Sequence, residues 1–381
     1  MSQLYEINWG ELTAERFLAQ FWQKRPVLIR QAFPDLEPVI EADELAGLAL
    51  ESEVESRLIS FKPQTGAFDL RKGPFAEEDF ATLPESHWTL LVQAVDHYVE
   101  AASELLESFS FISRWRIDDL MISYATVGGG VGPHYDNYDV FLLQAGGRRR
   151  WEIGGVESSQ SPRIPEIPLM ILSEFEALES YELEPGDMLY LPPQVAHNGV
   201  ATSPDCVTYS IGFRAPSDAE MLRSFSDQIG ERLSSEARYT DPELSVAANP
   251  GSIDPAALAA VHSRLSALLD DSDALAHWFG QYVSEPKYPE DCYQPDEMET
   301  AQWLESLDAD DGVYALPDAR LLYIERPDGL LLFCNGTELD TNGCDPEWIT
   351  QLCDQRVSGP IKISKANCKL ISKLHQAGGL S

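Results

Sequence analysis

Two stretches decide the reading of this chain: Val127-Gly-Gly-Gly-Val-Gly-Pro-His134-Tyr-Asp136 and, later, Glu184-Pro-Gly-Asp-Met-Leu-Tyr-Leu-Pro-Pro-Gln-Val-Ala-His197. In an extended strand, residues two apart project to the same face. His134 and Asp136 then point together, offering one imidazole nitrogen and one carboxylate oxygen to a single ion. His197, behind its own turn signal, adds a second imidazole from a neighbouring strand. Three such ligands leave about three positions of an octahedral ion open.

Chance alone accounts for the pair. With about one residue in six acidic, seven histidines give about one His-x-Asp/Glu pair, and the chain has one. Context argues for a site: a glycine run and a proline precede the pair, and a second histidine follows behind Pro185-Gly186-Asp187. Two histidines and one carboxylate form the donor set associated with non-haem Fe(II) oxygenases.

Length and composition set the frame. A chain of 381 residues has room for two or three domains and a real core. The 27 basic and 63 acidic residues give a net charge of −36, a surface that repels nucleic-acid phosphates and attracts basic partners, or simply keeps the protein soluble. The first twenty residues lack a signal-peptide core, and no apolar run approaches a membrane span. All six cysteines lie after Asp205 without a Cys-x-x-Cys pair, so neither a disulfide framework nor structural zinc is supported. These features predict a soluble cytoplasmic protein with reduced thiols.

Outward from the quoted stretch, the chain is strand-rich. Leu120 to Ala125, Tyr135 to Gln144, Arg148 to Ile153, Met188 to Leu191 and Cys206 to Arg214 read as strands, with Ala145-Gly-Gly147 a hairpin turn. Several short strands separated by turns predict a closed antiparallel barrel or jelly roll. Before them, Thr13 caps a helix running to Trp22, Val27 to Ile29 is a short strand, and Asp43 to Leu58 and Trp88 to Leu106 read as helices. His87 and His97 lack ligand spacing and read as structural.

After Pro216 the period becomes helical, over Asp218 to Leu233 and Pro255 to Val283, with His262 and His277 as packing or surface residues. A helical layer without chemistry suggests a dimerisation module. Tyr288 to Pro295 reads as a linker to about 85 further residues, with helices at Glu299 to Leu307 and Glu347 to Arg356 and two strands around Asp328-Gly329, the proportions of a winged helix. From Asp291 onwards there are 7 basic and 16 acidic residues, which argues against duplex DNA. Lys362, Lys365, Lys369 and Lys373 mark either an RNA contact or a solvated helix face.

Within the strands, Arg149 shares a face with Trp151 and Ile153, the face expected to be buried. A buried guanidinium is costly unless an anion meets it. That anion is either a distant Asp or Glu, or an acidic cosubstrate such as 2-oxoglutarate.

At this point a resemblance enters. Gly132-Pro-His134-Tyr-Asp136, a basic residue fifteen positions after the first histidine, and Pro185-Gly186-Asp187 leading to Pro192-Pro193 and His197 resemble the JmjC/cupin-type 2-oxoglutarate oxygenases. Phe21-Trp-Gln-Lys-Arg-Pro26, Glu44 to Ala49, Trp115 to Ser123, Gly146 to Trp151 and Tyr209 to Pro216 resemble one branch, the bacterial ribosomal oxygenases, which hydroxylate an arginine of the sixteenth large-subunit ribosomal protein. The resemblance covers Trp9 to Pro216 well and the rest in layout only.

It implies an α+β architecture. A double-stranded β-helix (jelly-roll) barrel with flanking helices would occupy an oxygenase domain at 1–216, its core at about 117–216. A helical dimerisation region at 217–287 and a winged-helix-like domain at 288–381 would follow, in a homodimer; that neither membrane nor duplex DNA is a partner is expected from the apolar-run lengths and the acidic charge. It implies Fe(II) held by His134, Asp136 and His197, with O2 as a cosubstrate and 2-oxoglutarate chelating the metal beside His134 and Asp136. Arg149 would bind the far carboxylate of 2-oxoglutarate and Ser123 would be a second contact. Asp119 shares the strand face of Met121 and Ser123 and is placed to hold a substrate guanidinium in bidentate fashion; Met121 and Tyr138 would wall the channel, with packing the competing role for all three. The alternative activities are hydroxylation of histidine and demethylation of lysine; from another class, a non-catalytic barrel would dock basic proteins.

Overall fold

The structure is a computed structural model and describes residues 5–165, 169–307, 312–355, 361–362 and 367–380. The chain divides into two compact units, 1–215 and 216–381.

In the first unit, strands β1 (Val27–Ile29), β2 (Ser56–Lys62), β3 (Ala67–Lys72), β4 (Trp88–Val92), β5 (Ile117–Ala125), β6 (Val140–Gly146), β7 (Arg149–Val156), β8 (Glu179–Leu183), β9 (Met188–Leu191), β10 (Val195–Ala201) and β11 (Cys206–Phe213) build two antiparallel sheets. The larger runs β1-β9-β6-β11-β5-β4-β2-β3 and the smaller β10-β7-β8. Val140, Leu142, Leu189 and Leu191 of the large sheet meet Trp151, Ile153, Leu183 and Val195 of the small one, closing a double-stranded β-helix. The opposite face of the large sheet, with Leu120, Ile122, Phe141, Leu143, Tyr190 and Tyr209, packs on α1 (Ala14–Gln20), α2 (Ala42–Leu48) and α4 (Glu100–Leu106), while α3 (Glu77–Ala81) follows β3. Thr13 caps α1 as the sequence predicts.

In this unit four expectations need correction. Trp88 to Leu106 is not one helix. Trp88–Val92 is a strand between β2 and β5, covered on both faces, and such a run has no polar alternation to separate it from a helix. Likewise α2 stops at Leu48, and Leu58 belongs to β2. The strand expected from Tyr135 begins only at Val140; before it, His134 makes a single bridge to His197. Gly147 does turn the chain (φ +57), but not into a hairpin: β6 pairs with β11 and β9, and β7 with β10 and β8. The turn carries the chain from one sheet to the other.

In the second unit, α5 (Asp218–Arg232) packs on α7 (Ser272–Ser284) through Phe225 and Trp278, whose rings lie 5.1 Å apart. The helix expected over Pro255 to Val283 is two, α6 (Pro255–Leu269) and α7, because Asp271 caps a new start. No residue of α6 is buried. Gly280 of α7 lets the Phe333 ring approach where a Cβ would lie 2.2 Å from it. Helices α8 (Glu297–Ser306), α9 (Pro346–Asp354) and α10 (Cys368–Gln376) surround the sheet β13 (Leu321–Arg326), β14 (Gly329–Cys334) and β15 (Thr337–Leu339), with a small ladder β12 (Gly312–Val313) to β16 (Ile361–Lys362). Lys369 and Lys373 are exposed on α10, whereas Lys365 lies outside the described residues.

Candidate active site

His134 and His197 face each other as a hydrogen-bonded pair. The His134 amide donates to the His197 carbonyl at 3.0 Å and the His197 amide to the His134 carbonyl at 2.8 Å. Their ring centroids are 4.3 Å apart. Two residues on, the Asp136 carbonyl accepts the Gln194 amide at 2.6 Å, so Asp136 is held without a regular strand. Its Oδ2 lies 3.6 Å from His197 Nε2 and 4.0 Å from His134 Nε2. Among the described residues this is the one group of three or more such donors able to hold a metal, its atoms all within 4.8 Å of one another.

The tautomers follow from the backbone. His134 Nδ1 lies 2.9 Å from the Gly132 carbonyl, and His197 Nδ1 lies 3.0 Å from the Val195 carbonyl. A carbonyl only accepts, so both Nδ1 atoms carry the proton and both Nε2 lone pairs face the centre. Burial, then the neighbouring His134, lowers the His197 pKa to about 4 and keeps that imidazole neutral. Two Nε2 donors and one carboxylate oxygen, oriented before any ion arrives, fit a divalent transition metal.

Arg149 projects from β7 into the same interior and is only 3% exposed. Its Nη2 reaches Ser123 Oγ at 3.5 Å, its guanidinium lies 5.7 Å from the Trp151 ring centroid, and its Nε is buried with no hydrogen-bond partner. Among the described residues no carboxylate pairs with it. Of the two partners the sequence leaves open, a distant Asp or Glu is thus not seen at Arg149 among the described residues. Beside Ser123, Thr208 Oγ1 donates to Gln144 Oε1 at 3.1 Å, extending a polar row across β5, β11 and β6. Sequence reading missed Thr208 and Gln144. The alternation of Thr208 and Ser210 with Val207, Tyr209 and Ile211 was the available signal.

The cross-strand register puts Asp119, Met121 and Ser123 on one face, towards the interior. Asp118 faces away and receives Arg214 Nε at 3.2 Å. Asp119 is 3% exposed, and its Oδ2 accepts from Gln93 Nε2 at 2.7 Å and from the Ala94 amide at 2.9 Å. Arg57 in turn donates to Gln93 Oε1 at 2.9 Å and lies 3.7 Å from Met121 Sδ. Arg57 and Gln93, unmarked in the sequence reading, thus complete this corner. Tyr138 keeps 43% of its surface in solvent, yet burial of its hydroxyl end, then the Asp136 and Asp119 carboxylates, raises its phenol above the ordinary range.

The chain is similar to known proteins. The JmjC domain family matches residues 104–221, and a ROXA-like winged helix matches residues 267–368. The chain is 38% identical over 341 residues to the ribosomal protein uL16 3-hydroxylase of Escherichia coli, covering 88% of this chain and 86% of that one. It is 34% identical over 370 residues to a probable ribosomal oxygenase of Haemophilus influenzae, covering 90% of this chain and 86% of that one. It superposes with a TM-score of 0.83 and 33% identity over 99% of each chain on the Escherichia coli ribosomal oxygenase YcfD in complex with cobalt and 2-oxoglutarate. The chain belongs to the ribosomal oxygenases, a branch of the JmjC-domain enzymes.

Proposed function

We propose that this protein is an Fe(II)- and 2-oxoglutarate-dependent hydroxylase that adds one oxygen atom to an arginine side chain of ribosomal protein uL16. The observation that carries the reading is Arg149, a buried cation with an orphaned Nε on the interior face that also faces the His134, Asp136 and His197 donors. A dicarboxylate answers both features: its 2-oxoacid end reaches the metal and its far carboxylate meets Arg149 and Ser123. With Fe(II) bound, 2-oxoglutarate and O2 supply an oxidative decarboxylation: one oxygen atom enters the substrate C–H bond, the other enters succinate, and CO2 leaves.

The chain's own residues set up that reaction. Gly132 and Val195 carbonyls orient the two imidazoles, and Trp151 covers the Arg149 guanidinium. Met121 and Tyr138 wall the approach. The Asp119 carboxylate, already engaged by Gln93 and Ala94, favours a cationic side chain by charge rather than by a free bidentate grip. A net charge of −36 steers a basic ribosomal protein towards the enzyme.

We assign residues 217–287 to a homodimer contact, supported by the bare apolar stripe of α6, and residues 288–381 to a winged-helix-like domain, although the winged-helix match itself spans 267–368 and so includes α7. A cytoplasmic location fits a ribosomal substrate and six free cysteines; among the described residues no helix is long and apolar enough to cross a membrane.

The test is succinate release from 2-oxoglutarate, dependent on Fe(II) and on added uL16, with mass spectrometry of the product. One arginine is expected to gain one oxygen. Oxidation of a histidine instead would overturn the substrate assignment, and absence of succinate with any basic protein would favour a non-catalytic barrel.

A further inference from the structure

His134 and Asp136 sit on a segment that no ladder holds. Apart from the single bridge to His197, the chain from Tyr135 to Asp139 has no strand partner. Donor atoms on such a segment keep their spacing only if something else fixes it. The residue between the two, Tyr135, points away from them. It is 9% exposed and packs against Leu172, Phe175 and Ala196, the last being the neighbour of His197. One apolar cluster therefore joins both stretches that carry the donors.

The ring is closed from outside by Arg163, in the segment between β7 and β8. Its Nη2 donates to the Tyr135 hydroxyl at 2.7 Å, and its guanidinium lies 5.5 Å from the ring centroid. Nη1 reaches Met170 Sδ at 3.4 Å. Arg163 is itself held: the Ile164 amide donates to the Ile171 carbonyl at 2.9 Å, the Ser173 amide to the Pro162 carbonyl at 3.0 Å, and the Leu172 amide to the Pro133 carbonyl at 2.8 Å, one residue before His134. The guanidinium pairs with no carboxylate among the described residues, and its Nε is buried without a partner. An arginine placed only to close a surface loop has no need of this half-buried site against a tyrosine.

The geometry points to Arg163 as a positioning residue for the metal, acting through Tyr135 to fix the His134–Asp136 segment. This rests on the reading of His134, Asp136 and His197 as metal ligands. Among the described residues Arg163 makes its side-chain contacts with Tyr135 and Met170 rather than with the donors themselves, so it would set the direction from which two donors arrive. Partners of this kind typically change metal affinity by about 10–100-fold when removed.

The experiment titrates Co(II) into the full metal-free chain, following calorimetry and the Co(II) absorption spectrum, for Arg163→Met, Tyr135→Phe, the double variant, Arg163→Lys and His134→Ala. Expected are a loss of about ten-fold in Co(II) affinity for each of the first two, with an altered spectrum. The double variant should lose no more than either alone, since both remove one interaction. Arg163→Lys, which keeps a cation beside the Tyr135 hydroxyl, should recover part of the affinity. Wild-type Co(II) affinity in both Arg163→Met and Tyr135→Phe, whatever happens to the melting temperature, would overturn the inference, as would losses that add. Tyr135→Phe keeps the packed ring, so the test survives a poorly folding Arg163→Met. If instead His134→Ala binds Co(II) like wild type, the reading of the metal site itself fails.

Discussion

The first unit buries two arginine–aromatic clusters on opposite faces of its large sheet, and they differ in one respect. On the outer face, the Asp139 carboxylate is completely enclosed, accepting from Gln23 Nε2 at 2.9 Å, Arg116 Nη2 at 3.1 Å and the Tyr190 hydroxyl at 2.6 Å, while Arg116 lies over Trp22. On the inner face Arg149 lies beside Trp151 and, among the described residues, has only Ser123 at 3.5 Å and no partner for its Nε. Removing a charge from water costs several kcal/mol unless partners replace the lost solvent. The outer cluster meets that cost within the chain and so reads as architecture. The inner one leaves it open, which is tolerable where a ligand completes the pairing. Satisfaction of buried charge, more than burial itself, separates scaffold from site.

The largest effect is expected at the donors beside Arg149. Asp136→Ala should abolish turnover and Co(II) binding while the melting temperature of the metal-free protein hardly moves, because the donor contributes little to the core. Retained Fe(II)-dependent succinate formation would remove Asp136 from the metal site. The scaffold cluster should respond the opposite way. Asp139→Ala leaves Arg116 and Tyr190 without their acceptor and should cost about 3–5 kcal/mol in denaturant unfolding, with the 2-oxoglutarate KM unchanged at a permissive temperature. A KM change without a stability loss would break the comparison.

How much of this contrast the sequence displays depends on range. His134, Asp136 and His197 are legible because their turn signals are local, and Arg149 because Trp151 and Ile153 mark its face at a spacing of two. The orphaned state of Arg149 is not legible, since it depends on which strands face β7. The same holds for Thr208 and Gln144, which reach Ser123 only through the pairing of β11 with β5 and β6. Gln93 and Ala94 were hidden by the helix expected over them; the positive φ of Ala94 and its hydrogen bond to Asp119 belong to a strand end instead. Trp88–Val92 shows the general difficulty, because a strand covered on both faces loses the alternation that would identify it.

Arg149→Met sharpens the comparison from the site's side. The 2-oxoglutarate requirement should rise about ten- to a hundred-fold, the equivalent of roughly 1.5–3 kcal/mol for a charged hydrogen bond, with the uL16 KM little changed. Stability without cosubstrate should not fall, because the variant removes a buried charge that lacks its partner. Stabilisation by added 2-oxoglutarate should be present in wild type and weak in the variant. A stability loss like that of Asp139→Ala would show that Arg149 is scaffold after all.

The smallest effect on turnover tests whether the same reasoning extends to apolar surface. Helix α6 has no buried residue, yet Leu258, Val261, Leu265 and Leu269 follow one another at helical spacing and are 60%, 44%, 57% and 50% exposed. A stripe of this length along one helix is what a partner helix covers, as an unpaired guanidinium is what an anion covers. The proposed homodimer supplies that cover with a second copy of the chain. Val261→Glu combined with Leu265→Glu places two charges in the stripe, where burial would be costly, while α6 itself has no buried residue to lose from the core. Sedimentation should therefore report twice 42.4 kDa for wild type and a single chain for the variant. The turnover of a short uL16 peptide should stay within about two-fold, since the donors and Arg149 all belong to the first unit and α6 to the second. A variant that still sediments as a dimer would place the contact elsewhere in the second unit; a wild-type monomer would show that α6 receives a different partner.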